Sequence, residues 1–184
     1  MKKSVAVTLA RMIFVLLTLS SCTLRYGQQV NSEDSVPELT FSNVQLTRYE
    51  EANPSLQLNA IQIEQYKNNS IYAQDATFTT WNKEQEVETE GSCVLLGIDT
   101  KEERYTLFNN ILIKNYSENV RIQADSLRWN GKTEQLTSGA NDRVTLTKDD
   151  MQLTGTGFSA SGISRQYSFS GKVSGTVTNE GGQE

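Results

Sequence analysis

Apolar and polar residues alternate with a period of two along most of the chain from Leu39 onward. Val120, Ile122 and Ala124 set the rhythm, Val144 and Leu146 repeat it, and Tyr167 and Phe169 repeat it again. Nowhere in this stretch do apolar positions fall into the three-four spacing of a helix. Upstream the same alternation runs through Phe41-x-x-Val44-x-Leu46, Leu56-x-Leu58-x-Ala60, Ile71-x-Ala73, Ala76-x-Phe78, Tyr105-x-Leu107 and residues 111–113, with an apolar run at 94–98. Turn-forming clusters separate the runs at 50–54, 67–70, 99–104, 116–119, Asn130-Gly131, Ser138-Gly139, 148–150 and Ser161-Gly162. In the later part of the chain they recur about every ten residues, the rhythm of a sandwich or barrel. Asn130-Gly131 has the two residues that best tolerate the positive φ angles of a type I′ hairpin turn. Ser138-Gly139 reads as a further reversal. The pattern predicts an all-β domain over residues 38–178, a sandwich or barrel of consecutive antiparallel strands.

Two places break the alternation. Ala60 is followed by Ile61 and then Ile63, and the phase changes again between Ala124 and Leu127. The adjacent apolar pair Ala60-Ile61 marks a bulge, which bends a strand as closed or rolled sheets require, while the change between Ala124 and Leu127 leaves open which side chains face inward. Gly155 and Gly157, in Leu153-Thr-Gly-Thr-Gly-Phe158, sit in or beside a strand, where glycine permits a bulge or a close backbone approach.

The first 21 residues carry a different signal. Lys2, Lys3 and Arg11 give a basic start, 12–19 is an apolar run, and Leu19-Ser20-Ser21 precedes Cys22. Eight apolar residues are too few to span a bilayer as a helix, which needs about twenty. The expectation is a cleaved signal peptide (1–21) ending in a lipobox, with Cys22 the lipidated residue; the alternative is an ordinary signal with an incidental cysteine. Two or three acyl chains make ample anchorage at about 0.8 kcal/mol per buried methylene. Residues 22–37 are polar and mixed in charge, a flexible tether reaching at most about 50 Å when extended. The tail at 179–184 is expected to be frayed.

The net charge of −5 becomes −8 once Lys2, Lys3 and Arg11 are removed with the signal. An acidic domain without a basic cluster argues against nucleic acid as a partner. Cys93 would be the only remaining thiol, and its apolar neighbours Val94, Leu95 and Leu96 make it a small buried hydrophobe rather than a nucleophile. The protein contains no histidine, which removes the commonest general base and metal ligand together. Acidic residues fall in loops, at Glu84/Glu86/Glu88/Glu90, Glu102/Glu103 and Asp149/Asp150, as solvated charges on turns do. Thr154-Gly155-Thr156-Gly157 lacks the helix that a phosphate-cradling loop needs, and Asp149-Asp150 lacks the other ligands of a calcium loop. Binding is expected instead of catalysis, with no metal and no cofactor.

The order of Ile122-Gln-Ala-Asp-Ser-Leu-Arg-Trp-Asn-Gly-Lys-Thr-Glu-Gln-Leu-Thr-Ser138, a Val-x-Leu strand, Leu-Thr-Gly-Thr-Gly-Phe158 and Tyr167-Ser-Phe-Ser-Gly-Lys-Val-Ser-Gly-Thr-Val177 closely resembles the LptC family and the wider group of OstA-like β-jellyrolls. The resemblance is close over 111–177 and extends as strand rhythm back to Leu39. It implies a periplasmic, membrane-anchored component of lipopolysaccharide export, held more naturally at the inner membrane. Such a component would receive a glycolipid from an inner-membrane ABC transporter and pass it to a periplasmic OstA-like bridge protein. It also implies an open β-jellyroll, a two-sheet rolled sandwich of consecutive antiparallel strands, whose inward side chains form an apolar groove. The candidates are Phe41, Leu58, Ile63, Ile71, Phe78, Leu95, Leu107, Ile113, Ile122, Leu127, Trp129, Val144, Leu146, Phe158, Tyr167 and Phe169. Gly155 and Gly157 match the family's assembly element, and the docking edges correspond to 39–46 and 167–177. The rival reading is a structural or adhesive envelope lipoprotein with a solid β core and no lipid ligand.

Overall fold

The computed structural model describes residues 36–178. The expected signal peptide, Cys22, most of the tether and the tail at 179–184 lie outside them. The described residues form twelve strands: β1 (Leu39–Glu50), β2 (Asn53–Gln65), β3 (Ser70–Trp81), β4 (Val87–Asp99), β5 (Arg104–Asn115), β6 (Val120–Asn130), β7 (Gln135–Thr137), β8 (Arg143–Lys148), β9 (Met151–Thr156), β10 (Phe158–Ser161), β11 (Gln166–Phe169) and β12 (Val173–Val177). All belong to one antiparallel sheet, in which β1 to β6 pair in sequence order. The free side of β6 is shared: β7 pairs with its C-terminal end and β8 with its N-terminal end. From β7 the sheet continues to β10 and β11, and from β8 to β9 and β12.

The hairpins rest on short polar side chains at strand ends. Asp99 accepts a hydrogen bond from the Glu102 amide (3.0 Å), Asn115 from Glu118 (2.8 Å), and Asn130 from Lys132 and Thr133 (3.0 and 3.2 Å). In each case the side chain satisfies a turn amide that has no strand partner. The last residue of these loops then takes a positive φ: Glu103, Asn119 and Glu134. The Asn130-Gly131 pair therefore opens a four-residue loop rather than a two-residue type I′ turn. The tight two-residue loop with positive φ at both positions is at Glu51 (50°) and Ala52 (70°), between Glu50 and Asn53.

Ser138-Gly139 does not reverse the chain. β7 and β8 run in the same direction along β6, so they are one long strand interrupted at 138–142; β9 and β10 are interrupted at Gly157, and β11 and β12 at 170–172. These interruptions continue a line of irregularities through the earlier strands. Asn43 falls between the pairs Ser42↔Gln62 and Val44↔Ala60, and Asp75 between Gln74↔Leu95 and Ala76↔Cys93. The β4–β5 register slips between Ser92 and Leu95, and the β5–β6 register between Phe108 and Ile111. Along this line Asn43, Asp75, Asn109, Asn110 and Gly157 all have positive φ, a conformation that asparagine, aspartate and glycine tolerate best. Inward positions step by three here: Ala60 to Ile63, Ala73 to Ala76, Cys93 to Leu96.

A crease thus crosses the sheet and divides it into two leaves. The first contains 39–42, 62–65, 70–74, 95–99, 104–108, 126–130, β7, β10 and β11. The second contains 44–50, 53–60, 76–81, 87–93, 111–115, 120–124, β8, β9 and β12. With no helix among the described residues, a sheet can bury one face only by folding onto itself. It does so: Ala73, Leu127, Val144 and Phe158 are 0 to 1 % exposed, and the buried residues of both leaves form one apolar cluster. No polar or charged residue is buried among the described residues, so the space between the leaves is dry.

Candidate functional site

Register turns the interior into three rows, two of which cross the sheet from edge to edge. In the second leaf one row reads Leu46, Leu58, Phe78, Gly91, Ile113, Ile122, Leu146, Leu153 and Gly175, each residue paired with the next across a strand boundary. In the first leaf, Phe41, Ile63, Ala73, Leu96, Leu107 and Leu127 form a second row. A third, nearer the tips, runs Leu39, Gln65, Ile71, Ile98, Tyr105, Trp129, Leu136, Ala160 and Tyr167. Apart from Gln65, every side chain in the three rows is apolar, aromatic or absent, because alternate residues of each strand share a face.

The rows are sealed in the middle and open at β1 and β12. Leu58, Ile63, Leu107, Ile113, Ile122, Leu127, Val144, Leu146 and Phe158 lie in the buried cluster, while Ile71, Phe78, Trp129, Tyr167 and Phe169 are partly buried against it. Phe41 and Leu46, the row ends on β1, are each 52 % exposed, and Val173 and Val177 on β12 are also open. Two of the sequence candidates therefore differ from the rest. Phe41 faces inward by register but has no covering strand. Leu95 points to the outer face, where it lines a shallow depression of about 270 Å³ with Gln62, Glu64, Tyr72, Gln74, Val94 and Asn109. Its neighbour Leu96 takes the inward position; the four-residue apolar run hid the parity, and only the step of three from Cys93 would have chosen correctly. Ile98, Tyr105, Ile111 and Leu136 also join or pack on the core and were not singled out.

Glycines let bulky rings lie across the rows. Gly91 is opposite Phe78, whose ring covers it so closely that a Cβ would overlap the ring atoms. A Cβ on Gly155 would stand 2.7 Å from the Phe169 ring and 3.0 Å from Val173 Cγ2. Gly157 sits at the crease with φ 64°, beside the Ser170 hydroxyl. Phe158 packs on Phe169 with ring centroids 5.2 Å apart, and on Tyr167 at 6.4 Å. Both glycines of the sequence element thus have packing roles at the corner between β9 and β10.

The sheet does not close into a barrel. β1 pairs only with β2, β11 only with β10, and β12 only with β9, which leaves one backbone edge free at each end of the rows. Such edges present unpaired amides and carbonyls to any strand that can add to them.

Polar chemistry is confined to the rims and the outer face, where Gln62 donates to Glu64 and Thr145 meets Thr154. Glu102 pairs with Lys132 at 3.2 Å in the open, Glu90 accepts a hydrogen bond from Tyr116 (2.6 Å), and Asp149 from Asn119 (2.8 Å). Among the described residues no group of three or more Cys, Asp or Glu is placed to hold a metal ion. Burial pushes the Cys93 thiol up to about 11, against a smaller opposing pull from a backbone hydrogen bond at Phe108. It is a space-filling side chain in the second leaf.

No curated protein matches the chain. The family model described as lipopolysaccharide-assembly, LptC-related, matches residues 5–178, nearly the whole chain. The folded open sheet with its apolar interior belongs to a member of the LptC-related family, whose role lies in lipopolysaccharide transport.

Proposed function

We propose that this protein accepts the acyl chains of lipopolysaccharide or a related glycolipid between its two leaves and passes the lipid along the rows from one free edge to the other. The observation that carries this reading is the continuity of those rows, which are apolar almost throughout, two of them running from the unpaired edge of β1 to the unpaired edge of β12 or β11. A sheet built only for stability has no need to keep its rows continuous as far as strands with nothing beside them. Under this reading the β1 edge docks a β domain of the inner-membrane ABC transporter, and the β11 and β12 edges dock a periplasmic OstA-like bridge protein. Strand addition would join one lining to the next, so acyl chains would not meet water in transit. The chain would work in the periplasm, anchored by lipid at Cys22 with residues 22–37 as its tether, and would catalyse nothing.

Photo-crosslinking side chains introduced at Phe78, Ile122 or Phe158 are expected to capture lipopolysaccharide in living cells. Capture only from exposed turn positions such as Lys83 or Lys101 would overturn the reading. The near-complete burial of the row centres favours a second reading, in which the interior is a solid core and the chain is a structural lipoprotein. Crosslinkers in the interior would then capture no glycolipid while the protein remained folded and anchored.

A further inference from the structure

Tyr167 is on the edge strand β11 of the first leaf, in the same row as Trp129. Its hydroxyl donates a hydrogen bond to Glu118, in the turn just before Val120 at the tip of the second leaf. Val120 and Trp129 are nine positions apart on β6, about 30 Å along a straight strand at 3.3 Å per residue. No tyrosine and glutamate could meet across that distance on a flat sheet. The contact exists because the leaves have closed, and it lies where their rims meet.

Other groups gather at the same point. Glu118 also faces the Arg165 guanidinium at 3.5 Å, and the Lys148 ammonium, level with Val120, stands 5.8 Å from the centre of the Tyr167 ring. The Glu118 side chain is only 18 % exposed, whereas Arg165 is largely in solvent. Burial, and then the hydrogen bond to Glu118, raises the proton affinity of the Tyr167 phenol, keeping it a donor at any ordinary pH. A charge-assisted bond of this kind, partly shielded from water, is among the stronger side-chain contacts. It is also the one inter-leaf side-chain hydrogen bond recorded among the described residues that bridges the two rims beside the C-terminal edge.

We infer that Glu118 and Tyr167 form a clasp that holds the leaves shut, and that releasing it admits solvent or ligand to the interior. The inference deepens the proposed function, and rests on it for the purpose of opening: an interior that takes lipid has to open somewhere. Opening itself can be measured without lipid. Cys93 lies in the buried cluster beside the crease, so its reaction with N-ethylmaleimide reports access to the deepest part of the second leaf.

The experiment uses the full chain, with labelling of the Cys93 peptide alone followed by mass spectrometry. Tyr167→Phe, which removes only the hydroxyl, is compared with Glu118→Gln, the double variant and Leu58→Val, a core change serving as a control for general loosening. The expected result is labelling roughly tenfold faster in Tyr167→Phe, the change that the loss of one charge-assisted bond produces. The double variant should label little faster than the faster single one, since both remove the same contact. Labelling at the wild-type rate, or acceleration no greater than that of Leu58→Val at equal urea midpoint, would overturn the clasp. If labelling accelerates but interior crosslinkers capture no glycolipid, the clasp stands and the lipid reading falls. If capture succeeds but labelling does not change, the lipid reading stands and the clasp falls.

Discussion

Cys93 shows how a single side chain records the dryness of the interior. Its thiol is raised from about 9 in the unfolded chain to about 11 in the folded one, because burial disfavours the thiolate. A group with a raised folded pKa favours folding fully below its unfolded pKa, and that contribution is lost as the pH climbs through the folded value. The wild-type protein should therefore lose stability between about pH 9 and 11 more steeply than Cys93→Ala, measured by urea unfolding across that range. Parallel curves for the two proteins would mean that the thiol is not in an apolar setting. The same residue explains a difficulty in the sequence. In Cys93-Val94-Leu95-Leu96 every residue is apolar, so the pattern cannot say which side chains point inward; the structure places Cys93 and Leu96 inside and Leu95 outside.

At the scale of the strands, the crease is the feature that lets one sheet cover its own apolar face. Gly157 holds one crossing of it, with a left-handed backbone and no room for a Cβ beside Ser170. Gly157→Ala should cost about 1–3 kcal/mol in urea unfolding, from the φ penalty together with the overlap. In a Ser170→Gly background the overlap part should disappear and the φ part remain, so a partial recovery is expected; an unchanged urea midpoint for Gly157→Ala alone would contradict the geometry. Much of this was legible in the residues. The phase breaks at Ala60-Ile61 and between Ala124 and Leu127 are two points on the crease, and the strand rhythm gave the all-β class. Their alignment into one line was not, because it depends on register between strands far apart in sequence. Local turn chemistry also misled in two places. Asn130-Gly131 has the composition of a tight turn yet opens a longer loop, since Asn130 spends its side chain on the amides of Lys132 and Thr133. Ser138-Gly139 has the composition of a reversal yet only interrupts a strand, whereas the turn expected at 50–54 is present, with Glu51 and Ala52 forced into it by the pairing of Glu50 with Asn53.

For the whole molecule, the central claim is that one sheet, folded along a crease, keeps an apolar lining that runs between two free edges and can receive acyl chains. The contact between Tyr167 and Glu118, 49 residues apart, could not be read from the sequence, for it exists only once the leaves have met. Trp129 gives the most direct view of the lining, being an inward row residue partly buried against the core. The chain has two tryptophans, so Trp81→Phe leaves Trp129 as the single indole reporter. Titrating that variant with lipopolysaccharide whose acyl chains carry bromine, a contact quencher, should quench Trp129 fluorescence saturably, while the unbrominated lipid leaves it bright. Trp129 emission unaffected by the brominated lipid, at concentrations where binding is detected by co-sedimentation, would contradict the account, because the lipid would then be held somewhere other than between the leaves.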